Sequence, residues 1–212
     1  HHYAFVEQID GSGFDTFAER ASKLERQAVL TELGAQLAKL HAVERAFPGA
    51  LVEPFDKIGI SPQERALQRA LLEVEATAQT QVQIAEHRLQ IRDQLQTLYA
   101  QLVPRSTYHL LHGELAGNHV LVRAKDHAVY FIDIEGIHFA DLEAEHTFLQ
   151  MIYNEADYRY LTRGDIDPAR MAFYKFAMHV SLVYAGSCFM VRGFHDLAWA
   201  ERLFRRNLTA VL

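Results

Sequence analysis

Five side chains in one short stretch have the types and spacing to do chemistry together: His112, Glu114, His119, Asp133 and Glu135. His112-Gly-Glu114 precedes the apolar run Val120-Leu-Val122, and His119 opens that run. Asp133-Ile-Glu135 closes a second run that begins at Val129, and a polar stretch, 123–127, separates the two. This pattern predicts a β-hairpin. If its turn is centred on Asp126, His119 faces Asp133 with Cβ atoms roughly 5 Å apart. The period of two then sends His119, Asp133 and Glu135 to one face, and Ile132 and Ile134 to the other, toward the core. Two carboxylates and an imidazole at one spot repel each other unless a cation joins them, and such a donor set suits a divalent metal. Glu114, entering the hairpin beside His112, supplies an acid to take a proton from a substrate hydroxyl while the metal holds an anion. That is the layout of phosphoryl transfer.

The hairpin needs a scaffold, and the rest of the chain reads as mostly helical. Tyr3-Ala-Phe-Val-Glu-Gln-Ile9 is predicted to be a strand closed by a turn at Asp10-Gly-Ser-Gly13. Ser22-Lys-Leu-Glu25 has capping-box spacing, and Leu30, Leu33, Leu37 and Leu40 continue an amphipathic helix to about Val43. Pro48, Gly49, Pro54 and Gly59 mark a loop, and Ser61-Pro62 starts a further helix. The polar interruption at residues 77–81 leaves one long helix or two open before Pro104. Helical spacing returns from Asp141 to about Tyr153, from Pro168 to about Val191, and from about His195 to Leu208. The fold class is therefore α+β: one mainly helical domain with a small central β-hairpin that carries the site.

Composition narrows the classes of function. The 212 residues hold 21 Lys+Arg against 27 Asp+Glu, a net charge of −6 that gives no footprint for nucleic acid or an anionic membrane. The single cysteine, Cys188, excludes an internal disulfide or a cysteine zinc site and suits a reducing compartment, with the cytoplasm as the default. No apolar run approaches the ~20 residues that span a bilayer, and no basic segment leads an apolar one in the manner of a signal peptide. His1 and His2 read as the remnant of an affinity tag.

Taken in order, these segments resemble the aminoglycoside phosphotransferase and choline kinase family. His112-Gly-Glu-Leu-Ala-Gly-Asn-His119 resembles its catalytic loop, H-G-D-x-x-x-x-N, and Phe131-Ile-Asp133-Ile-Glu135 its metal-binding I-D-x-E segment. Residues 3–11 resemble the hinge strand, Leu37-Ala-Lys-Leu-His41 the L-x-x-L-H helix end, and Asp141-Leu-Glu the start of the D-L-A helix. The resemblance implies a protein-kinase-like C-terminal lobe over residues 14–212, entered by a hinge strand and turn at 1–13. The family's N-terminal β lobe has no counterpart here, and is expected in a longer protein. It also implies that Glu114 orients the substrate hydroxyl and that His119 and Asp133, with Glu135 nearby, hold magnesium or manganese. Main-chain groups of Glu7 and Ile9 would face the adenine of ATP or the base of GTP, and His112 and Asp141 would brace the loop.

Two departures bear on the chemistry. Glu for Asp lengthens the acid by a methylene, about 1.5 Å, where a misplacement of ~1 Å can cost 10²-fold in rate. His for Asn offers a softer nitrogen and favours manganese or another transition metal. The acceptor is expected to be a small hydroxylated compound. The acidic bias at Glu143, Glu145, Glu155, Asp157, Asp165 and Asp167 would either receive a cationic one, as in the family, or form an ordinary solvated surface. Two alternatives stay open: a non-catalytic kinase-like module that binds a ligand or partner, and a metal-dependent hydrolase.

Overall fold

A computed structural model describes residues 7–51 and 60–212. The first part of the predicted N-terminal strand, residues 3–6, and the loop residues Pro54 and Gly59 lie outside them. The helices are α1 (Phe14–Ala18), α2 (Lys23–His41), α3 (Pro62–Ala78), α4 (Val82–Ala100), α5 (Leu142–Ile152), α6 (Glu155–Tyr158), α7 (Pro168–Val191) and α8 (Leu197–Val211). The strands are β1 (Gly11–Gly13), β2 (Glu44–Arg45), β3 (Gly49–Ala50), β4 (Tyr108–Leu111), β5 (Val120–Arg123), β6 (Val129–Phe131) and β7 (His138–Ala140).

Local chemistry sets the helix starts. The Ser22 hydroxyl accepts the Glu25 N–H at 3.3 Å while the Glu25 carboxylate accepts the Ser22 N–H at 2.8 Å, a closed capping box. Ser61 caps α3 with Pro62 in its first turn, and Asp167 caps α7 ahead of Pro168. The polar interruption after Thr77 resolves into two helices, because Thr80 and Gln81 turn their side chains to the Ser187 hydroxyl of α7 at 3.1 Å. Once they do so, the chain cannot hold one continuous axis.

Among the described residues all strand pairs are antiparallel and form two small sheets, ordered β1-β5-β6 and β2-β4-β7-β3. The first packs Val120 and Val122 on the leucine stripe of α2 (Leu30, Leu33, Leu37) and on Leu149 of α5. A separate core lies among α3, α4, α7 and α8, around Ile91, Leu95, Val180 and Phe204. The chain passes from β4 of one sheet to β5 of the other through residues 112–119, and returns from β6 to β7 through residues 132–137. Two crossings side by side hold the chemistry-bearing residues.

Three sequence expectations change. Residues 7–10 carry no regular structure, and the predicted turn Asp10-Gly-Ser-Gly13 instead supplies the edge strand β1, pairing Gly11 with Arg123 and Gly13 with Leu121. A Cβ on Gly11 would lie 2.2 Å from the Val122 carbonyl oxygen, so glycine is what lets the strands meet. The hairpin register is displaced by one residue: Val120 faces Phe131 and Val122 faces Val129. Its loop closes with Arg123 and Ala128 paired and His127 in the left-handed region at φ 58°, so His119 faces Ile132. Finally, β6 ends at Phe131, and Ile132 and Ile134 are exposed at 37% and 56%, not core.

Candidate active site

The displaced register does not scatter the cluster, because Asp133 leaves the strand geometry. It sits at φ 62°, ψ 50°, a left-handed conformation that aspartate tolerates better than most side chains, and a 3₁₀ turn over Ile134–Gly136 follows. On the other crossing, Gly113 adopts φ 92°, and a Cβ there would come within 3.3 Å of the His138 ring. Leu115 is fully buried beside the exposed Glu114 and anchors the loop, and a second 3₁₀ turn, Gly117–His119, delivers the imidazole.

His119 Nδ1–H donates to the Glu114 carbonyl oxygen at 2.6 Å, since a carbonyl only accepts. This leaves Nε2 pointing at the Asp133 carboxylate, 3.2 Å away. One ligand atom each from Glu114, His119 and Asp133 lies within 4.8 Å of the others. An imidazole oriented through one nitrogen, with the Asp133 carboxylate facing the other and a Glu114 oxygen within 4.8 Å of the pair's ligand atoms, is a donor set that fits a divalent cation. Glu135, expected on the same face as Asp133, is not in that triad: the 3₁₀ turn breaks the alternation that would have placed it there. It still lines the surrounding hollow of about 410 Å³, with His112, Gly113, Gly136 and His138. Glu7 and Ile9 lie on the segment before β1, exposed and half-buried, outside the triad.

His112, buried to 1% exposure, has both ring nitrogens engaged. Nε2–H donates to the Ile132 carbonyl at 2.8 Å and Nδ1 accepts the Glu114 N–H at 3.4 Å. Neither nitrogen is left to shuttle a proton. The ring instead ties the two crossings together.

Asp141, expected to brace the loop, spends its carboxylate elsewhere. Its Oδ2 accepts from Arg170 Nη1 at 2.9 Å and from the Tyr174 hydroxyl at 2.5 Å, and burial pushes its carboxyl up despite these partners. The loop is held by Glu145, one helical turn further on in α5. Its Oε1 accepts the Gly113 N–H at 2.8 Å; its Oε2 accepts the His112 N–H at 3.2 Å and His41 Nε2–H at 2.7 Å. Burial alone would raise this carboxyl, but His41 and the two backbone N–H groups together hold it below the ordinary glutamate value. His41 and Glu145 went unrecognised as a pair in the sequence. Each is a polar residue on an apolar helical stripe, His41 four after Leu37 and Glu145 four before Leu149, which is the signal available there.

His146 completes the buried group, with Nδ1 3.1 Å from the Tyr158 hydroxyl, its ring edge-on to His41 at 5.4 Å, and Nε2 without a hydrogen-bond partner among the described residues. Burial, and then the neighbouring His41, Arg163 and the opposing carboxylates of Glu145 and Asp165, leave its value at about 4. An unfolded histidine near 6.5 gains its proton first, so stability contributed by the neutral ring is full above pH 6.5 and is lost as pH falls toward 4. Thermal unfolding followed from pH 7 to 4 is expected to show a loss of up to about 3 kcal/mol, and His146→Gln to flatten that slope.

Comparison with known proteins identifies the family and the fold. The sequence profile of the phosphotransferase enzyme family matches residues 1–174. Among solved structures, a thermostable mutant of aminoglycoside phosphotransferase APH(4)-Ia superposes with a TM-score of 0.63 at 18% identity, covering 96% of this chain and 70% of that one. ADP-bound aminoglycoside phosphotransferase APH(2'')-Ib gives 0.60 at 15%, covering 96% and 69%. Spectinomycin phosphotransferase APH(9)-Ia, in complex with ADP and spectinomycin, gives 0.62 at 12%, covering 96% and 68%. No curated protein matches in sequence. Among the described residues no helix is long and apolar enough to cross a membrane. With more than half its length matched by the family profile and its fold shared with these enzymes, the chain belongs to the phosphotransferase enzyme family, with the kinase-like fold of the aminoglycoside phosphotransferases.

Proposed function

We propose that this protein transfers the γ-phosphoryl group of ATP or GTP to the hydroxyl of a small acceptor. The convergence of Glu114, His119 and Asp133 carries the reading. Asp133 and His119 Nε2 would hold magnesium or manganese, with Glu135 at the margin of the same hollow. The bound cation would neutralise phosphate charge as it develops. Glu114 accepts the acceptor's hydroxyl proton as the acceptor oxygen bonds to the γ-phosphorus and the bond to the nucleotide's bridging oxygen breaks, releasing the diphosphate.

The extra methylene of Glu114 is accommodated in this scheme by its loop, which Gly113 turns and Glu145 clamps, so the carboxylate still reaches within 4.8 Å of its partners. Main-chain groups of Glu7 and Ile9, on the approach to β1, are assigned to the nucleotide base, and residues 14–212 to the lobe that carries catalysis. The ADP bound in two of the neighbours named above supports the choice of nucleotide.

The test is transfer of labelled γ-phosphate from ATP by the full-length protein, across a panel of hydroxylated acceptors. Chelation with EDTA is expected to lower labelling to background and added manganese to restore it. Labelling that persists in chelator would refute the assignment.

A further inference from the structure

A second cavity, of about 230 Å³, shares one lining residue, His138, with the catalytic hollow. His138 Nδ1–H donates to the Gly136 carbonyl at 2.7 Å, which leaves its Nε2 free of that bond. The cavity exists because small residues from three helices and the sheet meet there: Ala66, Ala140, Ala144 and Ala177, beneath Phe139 and Tyr174. Its volume is below the ~300–1,000 Å³ that drug-sized ligands occupy, so it takes one ring or a short chain, not a multi-ring sugar.

Among the described lining residues, the charged side chains are of one sign. No carboxylate is among its described lining residues, which include Arg65 and Arg69, four apart on one face of α3. The Arg65 guanidinium makes no hydrogen bond or ion pair among the described residues. Among the described residues Arg69 pairs with Glu73 at 3.8 Å, with its own side chain 63% exposed. An ammonium group entering here meets two like charges, whereas a carboxylate or phosphate meets two hydrogen-bond forks.

We infer that this cavity is the acceptor pocket and that the acceptor is an anionic hydroxy compound with a compact apolar body, not a polyamine. Its hydroxyl is directed past His138 toward Glu114, its apolar part lies on the alanines, and its anionic group faces Arg65 and Arg69. The inference rests on the phosphotransferase reading for the direction of the hydroxyl, but not for the charge preference.

The test separates the two. Binding of para-(hydroxymethyl)benzoate, of the corresponding phosphonate and of para-(hydroxymethyl)benzylamine is measured by calorimetry on the full-length protein. At least one anion is expected to bind about tenfold or more tighter than the amine, and the carboxylate and phosphonate arms tell which anionic group is preferred. In the Arg65→Gln, Arg69→Gln double variant, whose altered side chains are exposed, this preference is expected to vanish. Equal binding of acid and amine, preference for the amine, binding of none of the three, or a preference that survives the double variant overturns the inference. Anion binding that is intact in a protein inactive toward every acceptor leaves the pocket standing and refutes phosphoryl transfer.

Discussion

Replacing Asp133 by Asn is expected to lower phosphoryl transfer by the full-length protein roughly 10³-fold while leaving the fold unchanged. Asparagine is among the few side chains that accept the left-handed backbone found at this position, φ 62°, ψ 50°, so the substitution removes charge without displacing the chain. What goes is one of the two carboxylates of the Glu114, His119 and Asp133 triad, the one 3.2 Å from His119 Nε2. Manganese titration should weaken at least tenfold, and the unfolding midpoint should stay within a few degrees of the parent. Asp133→Ala is the informative companion: it removes the same charge and also the short polar side chain whose local hydrogen bonding makes the left-handed conformation tolerable, at a cost of roughly 1–2 kcal/mol. Loss of activity shared by both variants, with loss of stability confined to Ala, separates the carboxylate's chemistry from its backbone role. Asn at full activity would remove Asp133 from the proposed mechanism.

What the sequence discloses about this fold depends on how local each feature is. The capping box at Ser22 and Glu25, the Ser61-Pro62 start and the Asp167-Pro168 start are decided within four residues, and all three helices begin where their residues indicate. The two-residue strands β2 and β3 have no readable pattern, because only pairing with β4 and β7 makes them strands. β1 is a similar case: Gly-Ser-Gly has little intrinsic preference for a strand and acquires one from the Val120–Arg123 edge.

The site divides along the same line. Its residue types were legible, since a hairpin flanked by His, Glu and Asp is unusual enough to read directly. Its geometry was not, because two left-handed residues decide it: His127 shifts the register by one position, and Asp133 restores the approach to His119 that the shift would otherwise have removed. His and Asp enter the left-handed region more readily than most residues, but most residues of either type do not adopt it, so their types alone do not single out these two positions before the strands are paired. Asp141 and Glu145 illustrate a third limit. Both are acids near the start of α5, and which of them reaches the loop is settled by α7: Arg170 and Tyr174 take the Asp141 carboxylate and leave Glu145 for His112 and Gly113.

Glu145→Gln is expected to cost roughly 3 kcal/mol of stability, and more activity than that loss explains. The carboxylate accepts three hydrogen bonds at once with no exposed surface, from His41, His112 and Gly113. A glutamine has one accepting oxygen, and its NH₂ group would face an N–H that it cannot satisfy. At least one buried donor is then orphaned. For a chain of this size the midpoint should fall by roughly 6–12 °C. The pH profile gives the sign. Because the folded-state carboxyl is held below the ordinary glutamate value, its contribution is present above pH ~4.5 and is lost as pH falls below that. The variant should lack this acid limb and converge with the parent at low pH. Since Glu145 grips the backbone on which Glu114 sits, its removal should lower kcat while the nucleotide KM stays near the parent's, the signature of a mispositioned acid as opposed to a lost binding contact. A variant within 1 kcal/mol of the parent, or one that raises KM and spares kcat, would mean that the loop holds its shape without this clamp.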